Sequence, residues 1–326
     1  MGIFIKLISA AVVSGTPLLF GTCGEVLTEK SGNMNLGVEG LMYMGGAFGL
    51  AGAFYYGNAA GENASGILAI IIAIICSFLA GCIGSLIFSF VTVTLRANQN
   101  VTGLALTMFG TGVAQFAGEY MRVSTGGYVS ISNDLKAFFS DPLFGGLSKI
   151  PVIGELLFSY NIFVWIGLVM AIAMALFLNK TRVGLNLRAV GESPATADTA
   201  GINVEKYKYF ATIVGGGISA IGGMVYIMTT AGCVWNHAGL DGVGWLSVAL
   251  VIFCLWKPFS SIWDSVIFGA LTVMYLYVHI SFIPSQIYKI LPYIVTIIVL
   301  ILVSMRQRKE DQPPAALGQA YFREER

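Results

Sequence analysis

The sequence predicts an all-α integral membrane protein. It reads as a bundle of about nine transmembrane helices, eight to ten fitting the pattern, with a helix broken near residues 30–40. Three observations carry that prediction. Of the 326 residues, 56% are hydrophobic and 11% charged. A soluble domain carries roughly 25% charged residues; a chain this poor in charge cannot coat a water-facing surface, but it can face lipid. Apolar runs of about 20 residues, the length that crosses a bilayer, recur from end to end. Glycine is abundant, at 40 residues, and in lipid it lets helix backbones approach closely.

The runs are 3–24, 36–57, 66–95, 101–121, 160–179, 207–231, 244–258, 264–283 and 287–305. The first ends in "LFGTC" at Cys23, without the small residue a lipoprotein signal places before its cysteine, and has Lys6 as its one early basic residue. It therefore reads as a retained span. The second is entered through "EKSGNMNLGVEG", where Gly32, Gly37 and Gly40 weaken regular helix. The third would measure about 45 Å as one helix and is expected to tilt, protrude or break near Gly81 and Gly84. The seventh is short and stops at Lys257-Pro258.

Basic residues set the expected orientation. Loop 180–206 holds Lys180, Arg182, Arg188 and Lys206; the tail beyond Met305 holds Arg306, Arg308, Lys309, Arg323 and Arg326. Both are expected on the cytoplasmic side, separated by an even number of spans. The N-terminus and loop 122–159 then fall outside. That loop balances Arg122, Lys136 and Lys149 against Asp134, Asp141 and Glu155, with amphipathic turns expected around "LKAFF". Small residues recur at fours: Gly45 and Gly49; Gly110, Ala114 and Gly118; Ala211, Gly215, Ser219 and Gly223. Tight helix packing accounts for them.

Polar residues inside the spans are the candidate functional groups. Thr107, Thr111, Gln115 and Glu119 fall four apart in the fourth span and share one helix face, begun by Asn100. They either bond a neighbouring helix or line a wet pathway. Glu39 stands at the mouth of the second span, near Asn33 and Asn35. A broken helix there would offer free backbone N–H groups to a polar ligand; alternatively Glu39 caps or pairs with a neighbour. In loop 180–206, "SPATADTAG" predicts a helix of about seven residues: Ser193 as N-cap, Pro194 in the first turn, Gly201 at the stop. Exposed between basic flanks, it can dock into a partner, or it is an ordinary loop helix. Trp235, Asn236, His237 and Asp241 form a turn whose polar groups are expected to be solvated.

Several classes are excluded. A net charge of +1 invites no nucleic acid. Cys23, Cys76, Cys82, Cys233 and Cys254 show no CxxC spacing, so neither a disulfide framework nor a zinc site is expected. Nucleotide-binding and hydrolase motifs are missing, and the two histidines, His237 and His279, are far apart. Any ATP-driven engine must lie on another chain.

Three stretches taken together, "GEVLTEKSGNMNLGVEGLMYMGGAFG", "TLRANQNVTGLALTMFGTG" and "GLNLRAVGESPATADTAGINVEKYKYFATIVGGGISAIGGM", resemble permease subunits of bacterial ABC importers. The superfamily is that of branched-chain amino acid and simple-sugar permeases, and the nucleoside-uptake branch is the most similar. The resemblance, from about residue 10 to 305, implies a permease domain over 1–305 and a cytoplasmic tail over 306–326, in the bacterial cell membrane. It implies that Glu192, Ser193, Pro194, Ala195, Thr196, Ala197, Asp198 and Gly201 form a coupling helix against a separate ATPase. It implies a pathway at Asn35, Asn100 and Thr102, with Glu39 there or holding the broken helix in shape; Thr107, Thr111 and Gln115 join the candidates through the stripe alone. The implied partners are a second permease, the ATPase, an extracellular substrate-binding lipoprotein facing loop 122–159 and the Trp235 turn, and a nucleoside. No cofactor is expected on this chain, since ATP and magnesium belong to the ATPase. Ribose, other simple sugars and riboflavin are rival substrates, and proton-driven transport through Glu39 or Glu119 is the rival mechanism.

Overall fold

The computed structural model describes residues 2–127, 129–150, 154–237, 239–240, 242–277, 285–306 and 312–323. Asp241, His279, Arg308, Lys309 and Arg326, and the end of the expected eighth span, lie outside the described residues. Every element longer than an isolated bridge is helical among the described residues. In order they are α1 (Gly2–Glu29), α2 (Val38–Ala60), α3 (Gly66–Ser89), α4 (Gln99–Thr125), α5 (Asn133–Ser140), α6 (Ile162–Lys180), α7 (Arg182–Glu192), α8 (Pro194–Thr199), α9 (Val204–Val225), α10 (Val243–Phe253), α11 (Pro258–Tyr277) and α12 (Ser285–Arg306).

Six described segments are long and apolar enough to cross a bilayer: Phe4–Glu29, Gly66–Thr94, Gln99–Thr125, Ile162–Lys180, Val204–Thr230 and Pro258–Tyr277. The expected nine are not met on those terms, for physical reasons. α2 is rich in glycine and packs its interior residues against other helices, so it needs no apolar coat. α10 has 11 residues, about 16 Å at 1.5 Å per residue, and is a half-span. In α12, the apolar stretch Ile290–Ile301 is also short.

The third span does not break at Gly81 or Gly84; it continues from α3 into a π-turn over Phe90–Thr94. Those glycines serve packing instead. A Cβ at Gly81 would lie 2.4 Å from the Ala220 Cβ and 2.5 Å from the Gly216 carbonyl oxygen. The break expected near residues 30–40 is present: α1 stops at Glu29, and turns at 30–32 and 36–37 flank a short irregular stretch before α2 starts at Val38. A Cβ at Gly40 would lie 2.6 Å from the Leu106 carbonyl oxygen, so α2 starts about two turns up α4, inside the bundle.

The hub is α1, α2 and α9. α1 packs on α9 and α11, α2 on α3, α4 and α9, and α9 on α3. Small residues set the spacing. A Cβ at Gly45 would lie 2.0 Å from the Ala220 carbonyl oxygen, and one at Gly110 2.5 Å from that of Gly40. One end of the bundle gathers the foot of α1, the start of α4, α7, α8 and the chain segment 312–323. The other gathers α5 and the 154–158 turn beside the start of α1. Loop 180–206 and the described tail thus share an end. α5 is the amphipathic element expected outside: Leu135 and Phe139 are buried, Phe138 is exposed. Nearby, burial pushes the Cys233 thiol up to about 12, so it behaves as an inert small hydrophobe.

Gly223 tests this packing. Its Cβ position is 1.8 Å from the Met42 carbonyl oxygen, so Gly223→Val forces α2 and α9 apart. Overpacking of this kind costs about 1–3 kcal/mol or more. The expected result is a clear fall in unfolding temperature of the detergent-solubilised chain, which Gly112→Ala, at an open position, does not produce.

Candidate functional site

Two helix N-termini lie inside the bundle, and side chains of neighbouring elements hold both. Free N–H groups at a helix start need acceptors where water is excluded. At α10, Glu39 supplies them: Oε1 accepts from Gly242 N at 2.8 Å, and Oε2 accepts from Gly244 N at 2.6 Å and Trp245 N at 3.1 Å. The carboxylate also sits at the positive end of the helix dipole. At α2, Asn35 Oδ1 accepts from Gly37 N at 2.9 Å. The stretch before α2 is tied down from three sides. Asn35 N donates to Glu25 Oε1 at 2.9 Å, Met34 N to Gln99 Oε1 at 2.7 Å, and Asn33 Nδ2 to Thr212 Oγ1 at 2.9 Å. One turn below Glu25, Glu29 accepts from Trp256 Nε1, fastening the far end of α10 to α1. Just beyond, burial pulls the Lys30 amine below its ordinary value, opposed by the Glu192 carboxylate.

Of the sequence-predicted pathway residues, Asn35 and Glu39 are buried in these ties. Asn35 Nδ2 and Asn33 Oδ1 are buried without a hydrogen-bond partner among the described residues. The other candidates lie on α4. Its buried face is Gln99, Gly103, Leu106, Gly110, Ala114, Gly118 and Met121, with the small residues along its middle. The polar stripe runs beside that face. Asn100 and Gln115 are exposed, and Thr102, Thr107, Thr111 and Glu119 are half-buried. Thr107 Oγ1 donates to the Leu36 carbonyl oxygen at 3.0 Å, linking the stripe to the break. Thr102 and Thr111 bond back to their own helix, at 2.8 Å to Asn98 O and 2.9 Å to Thr107 O. Glu119 ends the stripe in a charged group: it pairs with Arg122 at 2.5 Å and lies 3.8 Å from His237 Nε2. His237 in turn meets the Trp235 ring edge-on, 6.1 Å between centroids.

The cavity of about 950 Å³ lies elsewhere, among α1, α10, α11 and α12, and is lined in part by Lys6, Tyr226, Tyr275 and Tyr293. None of the α4 stripe lines it. The stripe is instead open on the outer face of this chain.

At the opposite structural pole from Glu119, α8 matches the expected short helix. Ser193 Oγ accepts from Thr196 N at 3.4 Å, Pro194 opens the first turn, and Gly201 takes a left-handed φ of +83°. Ala197 is buried against Val190 and Val204, while Thr196 and Thr199 are exposed. Sequence reasoning missed Glu25, Glu29 and Gln99. The only available signal was the i, i+4 acid pair in "GEVLTEK", just past the expected end of the first span.

A helical bundle crossing a membrane, broken at two internal helix starts and carrying an uncovered polar stripe, defines a multi-pass membrane permease. The chain belongs to the family described as branched-chain amino acid transport system / permease component, whose model matches residues 7–300. It is 31% identical to the nucleoside ABC transporter permease protein NupC of Lactococcus lactis over 305 residues, covering 91% of each chain. It is 31% identical to the guanosine ABC transporter permease protein NupQ of Bacillus subtilis over 302 residues, covering 90% of each. It is 30% identical to the putative glucose ABC transporter permease protein TsgC13 of Haloferax volcanii over 276 residues, 83% of this chain and 77% of that one.

The Glu39 tie makes a sharp demand on stability. Glu39→Ala leaves three N–H groups of the α10 start unpaired, at about 1–3 kcal/mol for each buried group. Unfolding in detergent should move down by several degrees or more, with Glu39→Gln intermediate. If Glu39→Ala is as stable as the parent, the carboxylate does not hold α10.

Proposed function

We propose that this chain is the membrane subunit of an ATP-driven importer of nucleosides in the bacterial cell membrane. It forms half of the translocation pathway, and a second, similar permease supplies the rest. Hydrolysis takes place on a separate cytoplasmic ABC ATPase, and an extracellular lipoprotein delivers substrate. The observation that carries this reading is the α4 stripe, uncovered on the outside of a bundle whose own large cavity is elsewhere. A polar row cannot face lipid cheaply, so it calls for a partner chain and a wet seam between them. Two of the relatives named above are nucleoside or guanosine permeases aligned over nine-tenths of this chain.

In this reading Asn100 and Gln115, the exposed amides, offer donors and acceptors to ribose and base, with Thr107 and Thr111 behind them. Asn35 and Glu39 shape the break rather than touch the substrate. α8 is the coupling helix. Its exposed Thr196 and Thr199 face the ATPase, and the buried Ala197 passes motion to α7 and α9. ATP binding closes the ATPase, α8 follows, and the half-helices shift between outward and inward states of similar energy. A proton-driven mechanism is disfavoured, because Glu39 is engaged by backbone N–H groups and Glu119 by Arg122.

Reconstituted with its partner chains, the transporter should take up radiolabelled guanosine, with ATP required and uncouplers without effect. Competition by other nucleosides but not by glucose is expected. Preference for glucose, in line with the Haloferax volcanii relative, would make the chain a sugar permease. Uptake that collapses with uncouplers would make it a secondary transporter.

Asn100→Ala and Gln115→Ala should each raise the half-saturating substrate concentration about two- to tenfold, the worth of one neutral hydrogen bond, with ATP hydrolysis preserved. Unchanged kinetics would return the stripe to packing. Thr199→Arg should abolish uptake while the chain remains in the membrane. Normal uptake by that variant would remove α8 from the ATPase contact.

A further inference from the structure

The segment 312–323, beyond the residues matched by the family, does not hang free. It crosses the end of the bundle that carries α8. Ala316 N donates to the Gly191 carbonyl oxygen at 3.0 Å and Gly318 N to that of Gly32 at 3.1 Å. Gln99 Nε2 and Lys208 Nζ reach the Gln319 carbonyl oxygen at 3.5 and 3.4 Å. Tyr321 donates to Asp198 Oδ2 at 2.8 Å, and Arg323 Nε lies 3.3 Å from the same oxygen. Apolar contacts run alongside. Leu317 packs on the cluster of Leu27, Cys254 and Trp256, and Tyr321 on Val190, Ala197 and Val204.

The seat is shaped for backbone. Gly32 and Gly318 both sit at left-handed φ, +86° and +78°, where an L side chain is strained. A Cβ at Gly32 would lie 3.3 Å from the Ala316 carbonyl oxygen, and one at Gly191 2.3 Å from that of Lys30. Pro313 and Pro314 open the seated stretch and reduce the conformational entropy lost when it docks.

From this we infer that residues 313–323 are a tie that transmits movement of α8 to the break between α1 and α2 and to the foot of α4. The tie touches α8 at Asp198, the foot of the break at Gly32, and α4 at Gln99. Without it, α8 reaches those points through α7 and α9. The tie stays seated and moves with α8; it is a link and not a brake. The inference rests on the reading of α8 as the coupling helix.

The test uses the whole reconstituted transporter and two variants: a chain ending at Gln312, and full-length Gly318→Val, which disturbs the seat by one residue. Uptake per ATP hydrolysed should fall about tenfold, within the range of typical coupling energies. ATPase co-purification and basal hydrolysis should match the parent. A third variant, Arg96→Cys with Phe322→Cys, replaces the contact in which the Arg96 guanidinium lies 4.8 Å from the Phe322 ring; a short bismaleimide then locks the tie down. Locked, it should still transport. Should the shortened chain fail to assemble, Gly318→Val decides. Unchanged uptake per ATP in Gly318→Val, or higher uptake, overturns the link. So does loss of transport on locking, which would mean that the segment must leave. If the unaltered chain brings down no ATPase at all, it is the coupling reading that fails, and the tie falls with it.

Discussion

The fold turns on the carboxylate of Glu39 meeting the start of α10. Neither is stable alone inside the bundle. A carboxylate near the bilayer centre costs about 2.5–3.5 kcal/mol on insertion scales. A helix that begins there leaves backbone N–H groups that no water can satisfy. Three N–H bonds from Gly242, Gly244 and Trp245 offset both penalties at once. Glu25 and Glu29 repeat the device with neutral donors, a backbone N–H of the re-entrant stretch and the Trp256 indole. Three acids close to the break therefore hold backbone breaks in register.

The two kinds of helix contact in this bundle differ in what they permit. Where Gly45 meets Ala220 and Gly223 meets Met42, backbones touch with no room for a Cβ. Such contacts fix α2 and α9 as one body, because close-packed interfaces deform little. At the breaks, by contrast, a few hydrogen bonds carry the connection. α10, eleven residues long, is fastened at each end by an acid, Glu39 and Glu29.

Much of this was legible from residues alone. The break before α2 followed from three glycines among polar residues, and α8 from Ser193, Pro194 and Gly201, since caps and turns are local chemistry. What escaped was set by distance along the chain. Glu39 was readable as either a ligand group or a cap, and its partners lie more than 200 residues away. Glu25 and Glu29 lie just past the end of the apolar run 3–24, so they drew no reading of their own, although α1 continues through them. Gly81 and Gly84 looked like a weak point because glycine loosens an isolated helix. In place, the close approach of α9 at Gly81 and of the α2 side chains of Leu41 and Met44 at Gly84 uses their missing side chains, and the helix runs on. The span count is met only in part on hydropathy: six described segments pass on length and composition, and α2, which mostly faces other helices, is not among them.

The position of the polar stripe follows from the same economy. α4 buries Gly103, Gly110, Ala114 and Gly118 against its own bundle, which draws it close to the break at Gly40. Above Gln99 the glycine and alanine positions of that face leave no room for large polar groups, and the stripe lies on the neighbouring rows, on the outside. Thr107 then sits at the border, with its hydroxyl on the Leu36 carbonyl oxygen. A shift of the broken segment is thereby felt at once by the row that Asn100 and Gln115 share. The residues that pack α4 against the break and those of the polar stripe are one register apart on the same helix.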